Sequence, residues 1–246
     1  MMKLCNFFLL VVIAFFASCN KDGDPKISPC LMLSQASSAS GLTQTFNYDG
    51  ETITSMTTSN GSSSTVTAFV YESGKLTKFT VDGAPYVVFT YTGDNITKQE
   101  VLSSNGVTSG ITEYEYSGGN LVKIQQYSSV NGSWQKSDYT TLEYYDNSDN
   151  ILRVKRYAGS SSPISVLDYT MYGANNAPYS AFPPAVLKYA KLGGTPIGLN
   201  ILKITSANGT ETNYTYEFNE KGYPTKQTAT GSSGATVVQT YSYKCN

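Results

Sequence analysis

One pattern recurs along most of this chain and restricts what it can fold into. An aromatic residue and a tyrosine stand two apart, a Gly, Asn or Asp turn follows, and then comes an Ile or Leu. Four copies are Phe46-Asn-Tyr48 with Gly50 and Ile53, Phe69-Val-Tyr71 with Gly74 and Leu76, Phe89-Thr-Tyr91 with Asn95 and Ile96, and Tyr114-Glu-Tyr116 with Asn120 and Leu121. A looser copy is Tyr144-Tyr145-Asp146 with Asn150 and Ile151. Others run from Tyr169 to Tyr172 and from Tyr214 to Tyr216, and the last is Tyr241-Ser-Tyr243. A second kind of turn falls midway between the motif turns: Asn60-Gly61, Asp82-Gly83, Asn105-Gly106, Asn131-Gly132 and Asn208-Gly209. Such pairs accept positive φ at low steric cost and suit two-residue hairpins. The remaining gaps hold Ala158–Pro163 and Gly231–Gly234, which are also good turn chemistry.

Each repeat therefore reads as a strand, a motif turn, a returning strand and an Asn-Gly turn. The fold class is all-β: a long antiparallel up-and-down meander of about 15 strands. Segments such as Thr65–Tyr71, Tyr86–Tyr91, Ile111–Tyr116 and Thr236–Tyr243 show the β-branched and aromatic enrichment of strands. The period of two places each aromatic-x-Tyr pair on one face, where tyrosines of neighbouring repeats are expected to stack as ladders. Twisted open sheets rarely exceed ~10 strands, so closure into a barrel-like sheet is expected. One stretch breaks the rhythm. Residues 173–200 contain Pro178, Pro183, Pro184 and Pro196 with Gly193, Gly194 and Gly198, and form an irregular insertion. Ala185–Ala190 after Pro184 predicts a short helix, and the insertion could partly fill a lumen.

Residues 1–18 read as a signal peptide, with Lys3 and the ten-residue apolar run Phe7–Phe16, too short to span a bilayer. Phe16-Ala17-Ser18-Cys19 resembles a bacterial lipobox, which implies lipidation of Cys19 and cleavage before it. The alternative is an ordinary secretory signal with an incidental Cys. Residues 19–29 then form a polar lipidated tether, and residues 30–246 a single β-repeat domain. Lys21-Asp22 looks like a surface-export signal of Bacteroidetes lipoproteins, so an outer-membrane lipoprotein facing either the surface or the periplasm is expected. Two thiols remain in the domain, Cys30 and Cys245. An oxidising compartment permits a disulfide between them, which would make the first and last strands neighbours. Two unrelated buried thiols are the alternative.

The repeat is similar to YD-type repeats, with literal Tyr-Asp pairs at Tyr48-Asp49 and Tyr145-Asp146. The whole domain resembles a family of Bacteroides lipoproteins of unknown function described as having a porin-like fold. The lipobox, the Pro-rich interruption and the tract from Ile201 to Lys226 carry the resemblance. It implies a lipid-anchored, barrel-like meander and brings no assigned activity, so no catalytic residue is carried over.

Chemistry is limited by composition. The chain has no histidine, which excludes Ser–His–Asp and Cys–His catalysis and His-ligated zinc or haem. Its 17 basic and 18 acidic residues leave no footprint for nucleic acid. No cofactor or metal is expected. Glu113 and Glu115 share a strand face and permit a carboxylate pair, though an ordinary polar face explains them as well. Asp146–Asn150 offers oxygen ligands for calcium, but Ile151 and Tyr157 stand where a hand-like loop needs Gly and Glu. Arg153 and Lys155 face one way and Arg156 the other, a solvated strand or an acidic-glycan contact. Trp134, beside a hairpin tip, is the candidate for stacking on a sugar ring. A genuine pore is disfavoured, because strands such as Leu76–Val81 alternate Thr and Lys where a lipid-facing band should be apolar, and the chain ends Lys-Cys-Asn. The expected function is a lipid-anchored, non-enzymatic cell-envelope protein that binds or scaffolds a glycan or an envelope protein. A structural surface component without a discrete ligand and a carboxylate-dependent glycan hydrolase are the alternatives.

Overall fold

A computed structural model describes residues 30–146, 148–194 and 196–245. The expected signal peptide, Cys19 and the expected tether lie outside the described residues. The first eight strands are β1 (Cys30–Ser37), β2 (Thr43–Asp49), β3 (Thr52–Ser59), β4 (Ser64–Glu72), β5 (Lys75–Val81), β6 (Ala84–Thr92), β7 (Asn95–Leu102) and β8 (Thr108–Ser117). The second eight are β9 (Asn120–Val130), β10 (Ser133–Tyr144), β11 (Ile151–Tyr157), β12 (Ser165–Asn176), β13 (Leu199–Ser206), β14 (Glu211–Phe218), β15 (Pro224–Gly231) and β16 (Thr236–Cys245). Every strand pairs antiparallel with its sequence neighbours, and β1 pairs with β16, so the sheet is a closed barrel of 16 strands. The expected meander was about one strand short of this. Each aromatic-x-Tyr copy falls on an even-numbered strand, and one further strand, β1, precedes the first copy. At the seam Cys30 stands opposite Cys245 and the two form a disulfide.

The barrel has an apolar inside and a charged outside. Phe46, Phe69, Phe89, Tyr114, Leu142 and Tyr169 are buried at the inward positions of the even strands. The odd strands contribute Ile53, Leu76, Ile96, Leu121 and Ile151, also buried. The outer wall carries cross-strand ion pairs: Lys123–Glu115 at 2.9 Å, Lys155–Glu143 at 2.6 Å, Lys226–Glu217 at 2.7 Å, Arg153–Asp168 and Lys203–Glu211.

A bulge recurs beside the motif turns. The pairing shifts by one residue between Asn47 and Tyr48, Val70 and Tyr71, Thr90 and Tyr91, Glu115 and Tyr116, and Glu143 and Tyr144. Each shift leaves one extra residue on the odd strand. In three copies that residue is a Thr whose hydroxyl donates to the facing strand: Thr54 to the Asn47 carbonyl, Thr77 to Val70 and Thr97 to Thr90. An extra residue flips the alternation. Leu76 and Phe79, three apart, therefore both point inward, and Lys78 between them points out.

The tyrosines do not stack as the sequence led us to expect. The motif tyrosines sit on alternate strands, about 9–10 Å apart by strand spacing, too far for ring contact. Each instead donates its hydroxyl to a main-chain carbonyl of the preceding strand: Tyr48 to Met32, Tyr71 to Ile53, Tyr91 to Leu76, Tyr116 to Ile96, Tyr144 to Leu121, Tyr172 to Ile151 and Tyr216 to Ile201, at 2.6–2.9 Å. In the looser copy Tyr144 takes the rung, while Tyr145 donates to the Tyr169 carbonyl.

The strand ladder runs to Asn176 and resumes at Leu199, so the irregular stretch is narrower than 173–200. It holds a 3₁₀ turn, Pro178–Ala181, and helix α1, Pro184–Lys191. Pro at the first helical position has its φ preset and lacks an N–H that would go unpaired there. The segment plugs the barrel. Phe182 lies edge-on to Phe46 at 5.0 Å, Tyr189 lies edge-on to Phe79 at 4.8 Å, and Val186 is buried. Its polar side is tied to the motif-turn rim, with Lys191 paired to Asp149 at 3.6 Å and the Lys188 ammonium donating to the Asp94 carbonyl at 3.1 Å.

Candidate functional site

The plug occupies the motif-turn end and leaves space toward the Asn-Gly end. Two larger lobes are divided by Tyr179 of the plug, and a smaller space of about 140 Å³ lies beside Gln35, Tyr179 and Gln239. One, about 400 Å³, lies against β1–β7 and is walled by Gln35, Gln44, Phe79, Tyr86, Gln99 and Tyr189 among others. The second, about 330 Å³, lies against β12–β16, where Tyr169, Tyr214, Tyr241, Gln227, Gln239 and Asn200 contribute. Among the described residues no Asp, Glu, Lys or Arg lines either lobe. Both volumes fall in the range of small-molecule sites, ~300–1,000 Å³.

Amides and phenols supply the polarity. Gln35 donates to Gln44, and Tyr179 hydrogen-bonds Gln35. The Tyr114 hydroxyl donates to Gln99 Oε1 at 3.1 Å. In the second lobe Gln227 donates to the Tyr216 oxygen at 2.8 Å, and the Tyr241 hydroxyl approaches Gln227 Oε1 at 3.2 Å and Gln239 Oε1 at 2.6 Å. Asn200 is buried and accepts from the Asn175 N–H at 3.2 Å. Gly173 permits this, since a Cβ there would meet the Asn200 amide at 2.6 Å. Burial pushes the phenols up, Tyr169 and Tyr216 to about 12, so they remain protonated donors at neutral pH.

The surface around the mouth differs from the rest. Most of the exposed large apolar residues, Leu42, Val66, Tyr86, Val107, Val130, Ile164 and Val237, lie at or near the Asn-Gly-type turns, whereas Tyr145 and Met171 lie elsewhere. Large apolar residues gathered at one end mark an interaction surface better than the same number scattered. Arg156 shares the inward face of Val154 near this end and is exposed, but it lines neither lobe.

The residues singled out from sequence lie elsewhere. Trp134 is half-buried on the β9–β10 hairpin and pairs with Ser129. It shares the face of Lys136, opposite Tyr127, whose hydroxyl donates to Glu113 on the outer wall. Glu113 is engaged there, and Glu115 in its pair with Lys123, so the two carboxylates flank no cavity. Asp149 of the proposed calcium turn pairs with Lys191, and Asn147 lies outside the described residues. Arg153 and Lys155 are both in outer-wall ion pairs. Among the described residues no group of three or more His, Cys, Asp or Glu is placed to hold a metal ion. Sequence reasoning passed over the glutamines. Their signal was present: Gln44 and Gln239 stand two before a motif aromatic, and Gln99 stands three after Ile96, all inward positions once the bulge is counted.

No family model matches the chain, and no curated protein matches it. Among solved structures, it is similar to a porin-like protein from Bacteroides uniformis, at 14% identity and a TM-score of 0.59 over 89% of this chain and 98% of that one. A porin-like protein from Bacteroides vulgatus matches at 13% identity and a TM-score of 0.57, over 87% of this chain and 99% of that one. At this identity the likeness is one of fold: the chain shares the barrel of these porin-like proteins.

Proposed function

We propose that this is a non-enzymatic envelope protein, tethered through a lipid on Cys19, whose barrel stands in water and binds a ligand rather than spanning the membrane. The charged outer wall carries this reading. A membrane barrel presents an apolar band about 25 Å tall to lipid. Here the outward positions of β7–β15 hold Lys, Arg, Glu and Asp in ion pairs, one along β7 (Lys98–Glu100) and five across neighbouring strands. Placing charged groups at a bilayer midplane costs about 2–4 kcal/mol each for Arg or Lys. The apolar groups point inward, onto the plug, which is the polarity of a soluble barrel.

β1 begins at the motif-turn end, so a tether running from Cys19 would enter there and leave the Asn-Gly end pointing away from the membrane. Two measurements test the reading. The Cys19→Ala protein should be released to the soluble fraction, remain folded without detergent, and give no conductance in planar bilayers. A released protein that needs detergent, or that opens channels, would overturn it.

A further inference from the structure

We infer that the two-lobed lumen at the Asn-Gly end is a binding site for a neutral carbohydrate. This rests on the reading of the barrel as a binding protein and adds the place and the ligand class. The lobes combine aromatic walls with amide and phenol groups and, among the described residues, contain no charged side chain. An ion entering them would lose its hydration with no opposite charge to replace it. A purely apolar guest would leave the amides and phenols of the walls without partners of their own kind. A sugar ring meets both demands, because its C–H face packs on an aromatic ring while its hydroxyls exchange hydrogen bonds with amides and phenols.

The groups left over by the internal network suit this. Gln99 accepts from Tyr114 through Oε1, which leaves its amide N–H groups to donate. Tyr86 and Tyr189 both line the first lobe, and Tyr169 and Tyr214 both line the second. Each lobe thus presents a pair of phenols beside fixed amides. Tyr179 stands between the lobes and lines both, so a chain of sugar units could contact it while occupying each side. Arg156 is exposed on the inward face outside both linings.

The test is calorimetric titration of the detergent-free Cys19→Ala protein with neutral malto-, xylo- and manno-oligosaccharides, alongside oligogalacturonate and dodecanol. At least one neutral oligosaccharide should bind. Tyr86→Ala, at the half-exposed mouth, and Gln239→Leu should each weaken it by about tenfold, the loss expected for one good contact. Trp134→Ala, on the outer wall, should leave affinity within about twofold. Circular dichroism melts identify any variant that fails to fold. If Gln239→Leu does, Tyr86→Ala alone decides. Absence of neutral-sugar binding at millimolar concentration overturns the inference, as does affinity indifferent to Tyr86→Ala. Preference for oligogalacturonate, lost on Arg156→Ala, or occupation of the lumen by dodecanol overturns the ligand class. A protein that proves insoluble without detergent instead defeats the binding-barrel reading, so the two failures are distinguishable.

Discussion

At the scale of the residue, the phenol hydroxyl is the unit that joins one repeat to the next. Seven motif tyrosines reach back to a carbonyl at the start of the preceding strand, beside the bulge where the ladder's own pairing is interrupted. The tyrosine thereby satisfies a main-chain acceptor that the shifted register has left available. Tyr243 occupies the eighth position and differs: its hydroxyl is buried and has no partner among the described residues. Two substitutions separate the hydrogen bond from the ring. Tyr116→Phe should destabilise the protein by about 1–2 kcal/mol, because it removes the bond to Ile96 and strands the carbonyl. Tyr243→Phe should be neutral or stabilise by up to about 1 kcal/mol, since it removes a buried polar group that gains nothing. Urea midpoints of the two variants, compared with the parent, decide this. Equal losses would mean that the tyrosines act through ring packing alone. The positions of the rungs were legible in the sequence, and their bonding was not, because a tyrosine's spacing says which face it lies on and nothing of what its hydroxyl reaches.

At the scale of the element, the strands followed from alternation and the bulges were missed. Ile53 with Met56, Leu76 with Phe79, Leu121 with Ile124 and Ile151 with Val154 all stand three apart on odd strands. Three-residue spacing is wrong for a plain strand, and a single extra residue reconciles it. The turns were half legible. Asp82-Gly83 and Asn131-Gly132 are two-residue turns with both residues at positive φ, as the pairs suggest. Asn105-Gly106 and Asn208-Gly209 instead sit in longer loops, where the Asn carboxamide oxygen accepts from the Val107 or Thr210 N–H and the glycine closes back on Ser103 or Ser206. The Asn side chain there acts as a local acceptor, and the hydroxyls of Ser103 and Ser206 donate to it. Ser73-Gly74 shows the opposite case: Ser73 adopts φ 50° without being Asn, Asp or Gly. Ser73→Asn should therefore stabilise by about 0.5 kcal/mol and raise Tm by about 1–2 °C. Calorimetry reads this directly, and a lowered Tm would show that Ser73 serves another purpose in that turn.

At the scale of the whole molecule, closure was legible from strand number, since a meander this long must bend, split or meet itself. The lumen was not, because its walls are assembled from strands far apart in sequence and from a plug whose fit depends on all of them. The same long-range closure bears on stability. β1 and β16 are opposite ends of the domain, paired from Cys30↔Cys245 to Ser37↔Gln239, and the disulfide spans a sequence separation of 215. In the chain-entropy view, joining residues so far apart removes about 5 kcal/mol of freedom from the unfolded chain. The folded barrel needs the bond less, because main-chain pairing along the whole seam already holds the two strands together. Reduction, or the double change Cys30→Ser with Cys245→Ser, should therefore leave the circular dichroism spectrum and the lumen intact while lowering stability by as much as about 5 kcal/mol. The effect should fall on refolding rather than on unfolding if β1 and β16 meet early, because a seam already formed in the transition state changes the folding rate. Denaturant midpoints and chevron arms, measured with and without reductant, separate these outcomes. A reduced protein with unchanged midpoint would show that the unfolded chain keeps its ends together without the bond, and a loss of the β spectrum would show that the seam's hydrogen bonds cannot close the barrel alone.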